Sequence, residues 1–176
     1  MHNETRPMTV GFALATLLVS AAAYFPADPA LAARRWTLYR NKKYGFQFVL
    51  LKNWKVSDTR THPAILVAAF HPSGAQVRLS ASVLPDRVTL LSFARNELAV
   101  IRKIGLRVGP PKPFQSGRLK GLWARGSHPG KPSSFRVYFF ARKQAYFAFT
   151  FTYPTKKYRE VMRAFQIILL TFKFTK

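Results

Sequence analysis

Residues 135–153, FRVYFFARKQAYFAFTFTY, constrain the fold more than any other stretch. In their second half Phe147, Phe149, Phe151 and Tyr153 alternate with Ala148, Thr150 and Thr152. A period of two lines the large rings along one face of a pleated strand; a helix would spread them round its circumference. In the first half, residues 137–141 are apolar at every position, which predicts a strand covered on both faces for part of its length. Arg142, Lys143 and Gln144 separate the halves. The stretch therefore reads as a hairpin of strands 135–141 and 146–152, joined without the Gly or Asn that tight hairpin turns favour. The rest of the chain has to pack on it.

Strands are also predicted at 36–39, 44–50, 65–70, 76–83 and 119–125, with a short extended piece beginning at Trp54. Within 76–83, Val77, Leu79, Ala81 and Val83 face inward, and Arg78, Ser80 and Ser82 outward. Residues 71–74, HPSG, form a turn. Thr89 is placed to cap a helix with Leu90, Ala94, Leu98, Ile101 and Ile104 as its apolar stripe. Arg95, Arg102 and Lys103 fall on its other face, and Gly105 stops it. Residues 109–113, GPPKP, make a stiff connector, and 127–134 a loop. After Pro154, Thr155 is expected to cap a second helix with Tyr158, Val161, Met162, Phe165 and Ile168 along its stripe. Lys156 and Lys157 then stand in its first turn, where the helix dipole disfavours cations. Residues 170–174 alternate again and read as a closing strand. The order strands, helix, strands, helix gives the α+β class: an antiparallel β-sheet with two main helices packed on it.

The amino end reads as an export signal. Arg6 precedes an uncharged apolar run at 8–25, and Ala30 and Ala32 supply the small residues of a cleavage site. Residues 1–32 are thus expected to be a signal peptide and 33–176 a single domain. The alternative is an uncleaved anchor, since the run is near the lower limit of the ~20 residues a spanning helix needs. Cleavage leaves 144 residues (176 − 32), enough for one domain with a real core. The chain has no cysteine, so packing alone must hold an exported domain.

With these elements in place, the chain resembles the PsbP-like family: the extrinsic photosystem II protein, its bacterial relatives and the structurally similar Ran-binding release factors. The residues that carry the likeness are Tyr44-Gly45-Phe46-Gln47-Phe48 followed by Trp54, then Gly121. Further on come Ala145-Tyr146-Phe147 through Thr152-Tyr153, and Phe165, Ile168-Leu169 and Thr171-Phe172. The family often has a proline shortly before the tryptophan, where this chain has Leu51-Lys52-Asn53. The resemblance spans nearly all of 33–176. It implies a PsbP-like α/β/α sandwich and an exported, non-enzymatic accessory or binding domain.

The residues themselves offer no reaction centre. Asp58, Asp86, Glu97 and Glu160 are scattered and read as solvated charges, not as the paired carboxylates of a hydrolase. His62, His71 and His128 each precede a proline, which favours extended or turn backbone, and no pair has metal-ligand spacing. Ser73, Ser92 and Ser116 lack the strand-turn-helix setting of a nucleophile. Trp36, Trp54 and Trp123 read as core or core-edge residues. Residues 43–50, KYGFQFVL, are superficially like an RNA-recognition strand, but the glycine is in the wrong register. No catalytic residue, metal or cofactor is assigned.

Charge is the strongest functional signal. The chain carries 29 Lys+Arg against 6 Asp+Glu, a net of +23. Residues 33–176 carry +24, because the segment before them holds Arg6 against Glu4 and Asp28. The cations recur at element ends, and the candidate contact residues are Lys42, Lys43, Arg102, Lys103, Arg118, Lys120, Arg142, Lys143, Lys156, Lys157 and Arg159. A chain so cationic is drawn to anionic surfaces. The favoured reading is a non-catalytic, monomeric accessory domain docking on an acidic protein complex or an anionic envelope surface, with peripheral membrane contact and no specific nucleic acid. A secreted binder of polyanions, nucleic acid or cell-surface polymer, is the second reading, and an uncharacterised hydrolase the third.

Overall fold

The structure, a computed structural model, describes residues 36–51, 53–57, 64–85 and 87–175. The expected signal segment, with its cleavage after Ala32, lies outside them, as do Asp58, His62 and Asp86. In chain order the elements are β1 (Trp36–Asn41), β2 (Phe46–Leu51), β3 (Lys55–Ser57), β4 (Ile65–Phe70), β5 (Gln76–Val83) and α1 (Leu90–Lys103). There follow β6 (Arg107–Val108), β7 (Lys112–Ser116), β8 (Leu119–Ser127), β9 (Ser133–Arg142), β10 (Ala145–Pro154), α2 (Tyr158–Thr171) and β11 (Lys173–Phe174). A single 3-10 turn, Thr155–Lys157, leads into α2.

The aromatic run is the central hairpin. β9 and β10 pair antiparallel with Phe147 opposite Phe140, and the two-residue turn is Lys143-Gln144. Lys143 takes a φ of 54°, the left-handed conformation that Gly or Asn would adopt more cheaply. β10 and β9 lie in the middle of an eight-stranded antiparallel sheet ordered β3-β4-β5-β10-β9-β8-β6, with β7 also paired to β8. A second sheet, β1-β2-β11, has three strands.

Both faces of the hairpin are buried, and each has its own core. Phe147, Phe149, Phe151 and Tyr153 join Tyr138 and Phe140 beneath α2 and the small sheet, with Phe46, Phe48 and Phe165. Phe151 and Phe165 stack with ring centroids 4.0 Å apart and planes 4° from parallel. On the opposite face Phe135, Val137, Phe139, Tyr146 and Ala148 pack under α1, against Phe93, Ala94, Leu98 and Ile101. The arrangement is the α/β/α sandwich of the α+β class, with α1 on one side and α2 beside the small sheet on the other.

Local chemistry explains most boundaries and several departures from expectation. Thr89 caps α1 as expected: its hydroxyl accepts from the Ser92 amide, and Ser92 Oγ accepts from the Thr89 amide, each at 3.1 Å. The stripe shifts, however. Ile104 has left the helix at its C-cap and is 36% exposed, while Phe93 and Glu97 are buried. Val83 was expected to face inward but is 66% exposed, because it ends β5 at the margin of the sheet. Thr155 does not cap α2. It opens the 3-10 turn and its hydroxyl lies 3.2 Å from Ser134 Oγ, while Lys157 occupies the N-cap without a side-chain bond. Lys156 and Lys157 therefore precede the helix and escape part of its dipole.

The closing strand is shorter than 170–174. α2 continues through Thr171, whose hydroxyl donates to Ile167 O at 2.8 Å and accepts from the Val49 amide at 3.1 Å. That hydroxyl ends the helix and supplies β2 with an acceptor that a strand would have supplied, so only Lys173–Phe174 pairs with β2. Part of the GPPKP connector is likewise a strand: β7 begins at Lys112 and pairs along β8. Its Pro113 is tolerated because β7 pairs on one edge.

Candidate docking surface

Antiparallel topology sorts the cationic turns into two ends. The β9–β10 turn, with Arg142 and Lys143, defines one end. β8 runs antiparallel to β9, so the β7–β8 turn at Gly117-Arg118 is at that same end, with Arg118 and Lys120. The β1–β2 turn carrying Lys42 and Lys43 is brought there by Arg142, whose Nη1 donates to the carbonyl oxygens of Gly45 and Thr175, both at 2.8 Å. α1 leaves this end, so its last turn, with Arg102 and Lys103, reaches the opposite one. β10 ends there too, which places Lys156, Lys157 and Arg159 with Arg102 and Lys103. The eleven candidates thus fall six at the hairpin end and five at the other.

The hairpin end is electrostatically one-signed among the described residues. Of the described carboxylates, Glu97 is buried on α1, and Glu160 lies on the opposite end in an ion pair with Lys157 at 3.2 Å. Lys42, Lys43, Arg118, Lys120 and Lys143 are exposed. Two cations that sequence reasoning missed join them. Arg40 Nε donates to Gln47 Oε1 at 3.2 Å across the small sheet, and Lys173 pairs with Gln47 from the other side. No sequence pattern links positions 40, 47 and 173; only the three-stranded sheet does.

Not all of the eleven are free to meet a partner. Arg142 is half-buried, makes the two carbonyl bonds above, and lies over the Phe174 ring at 4.9 Å. Arg102 donates to Val108 O and Gly109 O, closing the turn after α1. Lys43, by contrast, lies over Tyr44 at 5.5 Å yet remains exposed.

The described histidines and carboxylates do not converge. Among the described residues no three His, Asp or Glu side chains gather as metal ligands. His71 packs on Trp54, shares a 2.7 Å contact between Nδ1 and Ser73 Oγ, and is held below the usual imidazole range by burial, with Glu160 opposing. Burial and Lys131 lower His128. Glu97 stands in the apolar stripe of α1 with no hydrogen-bond partner among the described residues, and burial pushes its carboxyl up to about 7. No described helix is long and apolar enough to cross a membrane.

No family model matches the sequence, and no curated protein does. Solved structures do. A cyanobacterial PsbP, CyanoP from Synechocystis, superposes with a TM-score of 0.60 over 85% of this chain and 98% of its own, at 10% identity. The fold is PsbP-like. LpqN of Mycobacterium tuberculosis, a protein involved in cell envelope biogenesis, matches at 0.56 over 80% of this chain and 91% of its own, at 15% identity. A Bacteroides thetaiotaomicron protein matches at 0.56 and 12% identity, with half of its length covered. In the PsbP-like fold the motifs behind the sequence resemblance are packing devices. Phe46 and Phe48 are core rings, and Gly121 lies where a Cβ would come 2.0 Å from Phe139 O.

Proposed function

We propose that this PsbP-like domain is an exported, non-catalytic accessory module that docks through its hairpin end on an acidic surface of an envelope or membrane-associated partner. One observation carries the reading. The fold gathers Lys42, Lys43, Arg118, Lys120 and Lys143 at one end, with Arg40 and Lys173 beside them and no described carboxylate among them. Similarity to CyanoP and to an envelope-biogenesis protein supports the export and accessory parts. Dispersed cations of this kind attract an anionic partner from a distance, and each near an anionic membrane contributes about 1 kcal/mol.

The test is retention on anionic liposomes and on an acidic column at low and at physiological salt. Retention is expected to fall steeply as salt rises. Replacing Lys42, Lys43, Arg118, Lys120 and Lys143 by alanine should abolish it, while alanine at Lys103, Lys156 and Arg159 should leave most of it. Indifference to salt, or equal loss from both sets, removes the docking idea.

The cations at the opposite end favour a second reading, a binder of long polyanions that touch both ends. A DNA titration that stays flat in a mobility-shift assay at low salt ends that reading.

A further inference from the structure

A recess of about 390 Å3 opens where β6, β8 and β9 meet, lined by Arg107, Gly109, Arg125, Gly126, Ser127 and Ser134 among others. It is a shallow depression open to solvent, with room for a small anion rather than an enclosed ligand. The register decides what faces it. Arg107 is opposite Ser127, Ser127 opposite Ser134, and Arg125 opposite Arg136. Directly paired residues and alternate residues along a strand share a face. Three arginines and two serines therefore stand on one face of three adjacent strands.

This arrangement conflicts with sheet stability unless something compensates it. Like charges directly opposite each other destabilise an antiparallel pair. Arg136 is partly relieved: it lies over Trp123 at 5.2 Å and Tyr158 at 5.5 Å, and Nη2 donates to Tyr158 Oη at 2.7 Å. Its Nε is nevertheless buried without a partner. The Arg107 and Arg125 residues are exposed, and their guanidinium groups have no hydrogen-bond or ion-pair partner among the described residues. The floor is backbone. A Cβ on Gly126 would come 2.1 Å from the Phe135 ring and 2.4 Å from Arg107 O, so only glycine lets β6 lie this close to β8. Ser134 Oγ is 3.2 Å from Thr155 Oγ1. With Thr155 donating, the Ser134 proton is left to donate into the recess.

We propose that this recess binds a phosphate group. Guanidinium forks match phosphate oxygens two at a time, and hydroxyl donors complete the shell. A phosphate dianion would offset the charges of the two lining arginines, Arg107 and Arg125, together, which a single carboxylate would do only in part. The site lies at the end opposite the hairpin turn and uses residues outside the eleven docking candidates, so it stands or falls apart from the docking reading.

The experiment is calorimetric titration of the full chain with inorganic phosphate at physiological salt. A parallel arm measures sedimentation with phosphatidylcholine vesicles with and without phosphatidic acid. Two double variants remove the same charge: Arg107→Ala with Arg125→Ala, and Lys42→Ala with Lys43→Ala. Saturable binding is expected, weakened about tenfold or more by the recess pair and less than about threefold by the turn pair. A Gln pair at 107 and 125 keeps the side-chain stems and should behave as the alanine pair does, so misfolding cannot explain the loss. Binding of inorganic phosphate through the recess identifies a soluble phosphate compound. Binding confined to phosphatidic acid vesicles and lost in the recess pair identifies a lipid headgroup. If neither probe binds, or if both double variants weaken binding alike, the proposal is wrong.

Discussion

The Arg142 guanidinium donates to the Gly45 carbonyl oxygen at 2.8 Å, across 97 positions of sequence. The same nitrogen reaches Thr175 O, and the amide of Thr175 donates to Gly45 O at 2.8 Å. Three remote segments, the β1–β2 turn, the β9–β10 hairpin and the chain after β11, are tied through one charged side chain.

Arg142→Ala should therefore destabilise the domain by about 1–3 kcal/mol, the usual loss when charge-assisted bonds to part-buried carbonyls are removed. Arg142→Lys should recover only part of it, because an ammonium cannot reproduce the planar fork over Phe174. Urea midpoints of the two variants decide the matter. A null effect from both would show that the clamp is decorative.

Gly121→Ala places a methyl group 2.0 Å from Phe139 O and 2.9 Å from the Phe114 ring. Since β8 pairs with β9 on one side and β7 on the other, neither neighbour can withdraw. A loss of at least about 3 kcal/mol, or failure to accumulate folded protein, is expected. Gly109→Ala meets one backbone oxygen at 3.7 Å, an ordinary contact, and should be nearly neutral in the same thermal melt.

Phe151 and Phe165 provide a test of the α2 side of the core. Truncating either ring to alanine should cost about 3–5 kcal/mol. The double variant should cost less than the sum of the two by about 0.5–1.5 kcal/mol, the part that belongs to ring stacking. Additive losses in a double-mutant cycle would mean that the parallel 4.0 Å contact adds nothing beyond burial.

Glu97 makes stability pH-dependent in an unusual direction. Its carboxyl rises from 4.5 to about 7 on burial in the apolar stripe of α1. The folded state thus holds the proton more tightly than the unfolded one. Stability from this group is complete below pH 4.5, declines as pH rises, and is gone above about 7, a total on the order of 3 kcal/mol. Glu97→Gln should flatten that decline and leave the variant more stable than the parent at pH 8. Denaturation midpoints at pH 5 and pH 8 measure it, and parallel curves for the two proteins would refute the assignment.

Local sequence was enough for the hairpin, for 65–70 and 76–83, and for the Thr89 cap, because each depends on neighbours within a few residues. The alternation of Phe147 to Tyr153 can bury its rings in no other regular backbone. The same reasoning failed at residues 170–174, where an alternating pattern became the end of a helix. The Thr171 hydroxyl satisfies its own helix and the Val49 amide of a strand 122 positions away, and no local rule contains that bond. Position 97 likewise reads as surface charge in sequence, yet it stands three and four residues from Ala94, Phe93 and Ile101 and so falls on the face that α1 buries. The cations were visible as a total and as turn residues, since charge is a property of composition. Their division between two ends, the release of some and the internal use of Arg142 and Arg102, came from antiparallel pairing, which sets remote turns side by side. The arginine recess has the same origin: Arg107, Arg125 and Arg136 become neighbours through strand register, and register is decided by which faces of the sheet two helices bury.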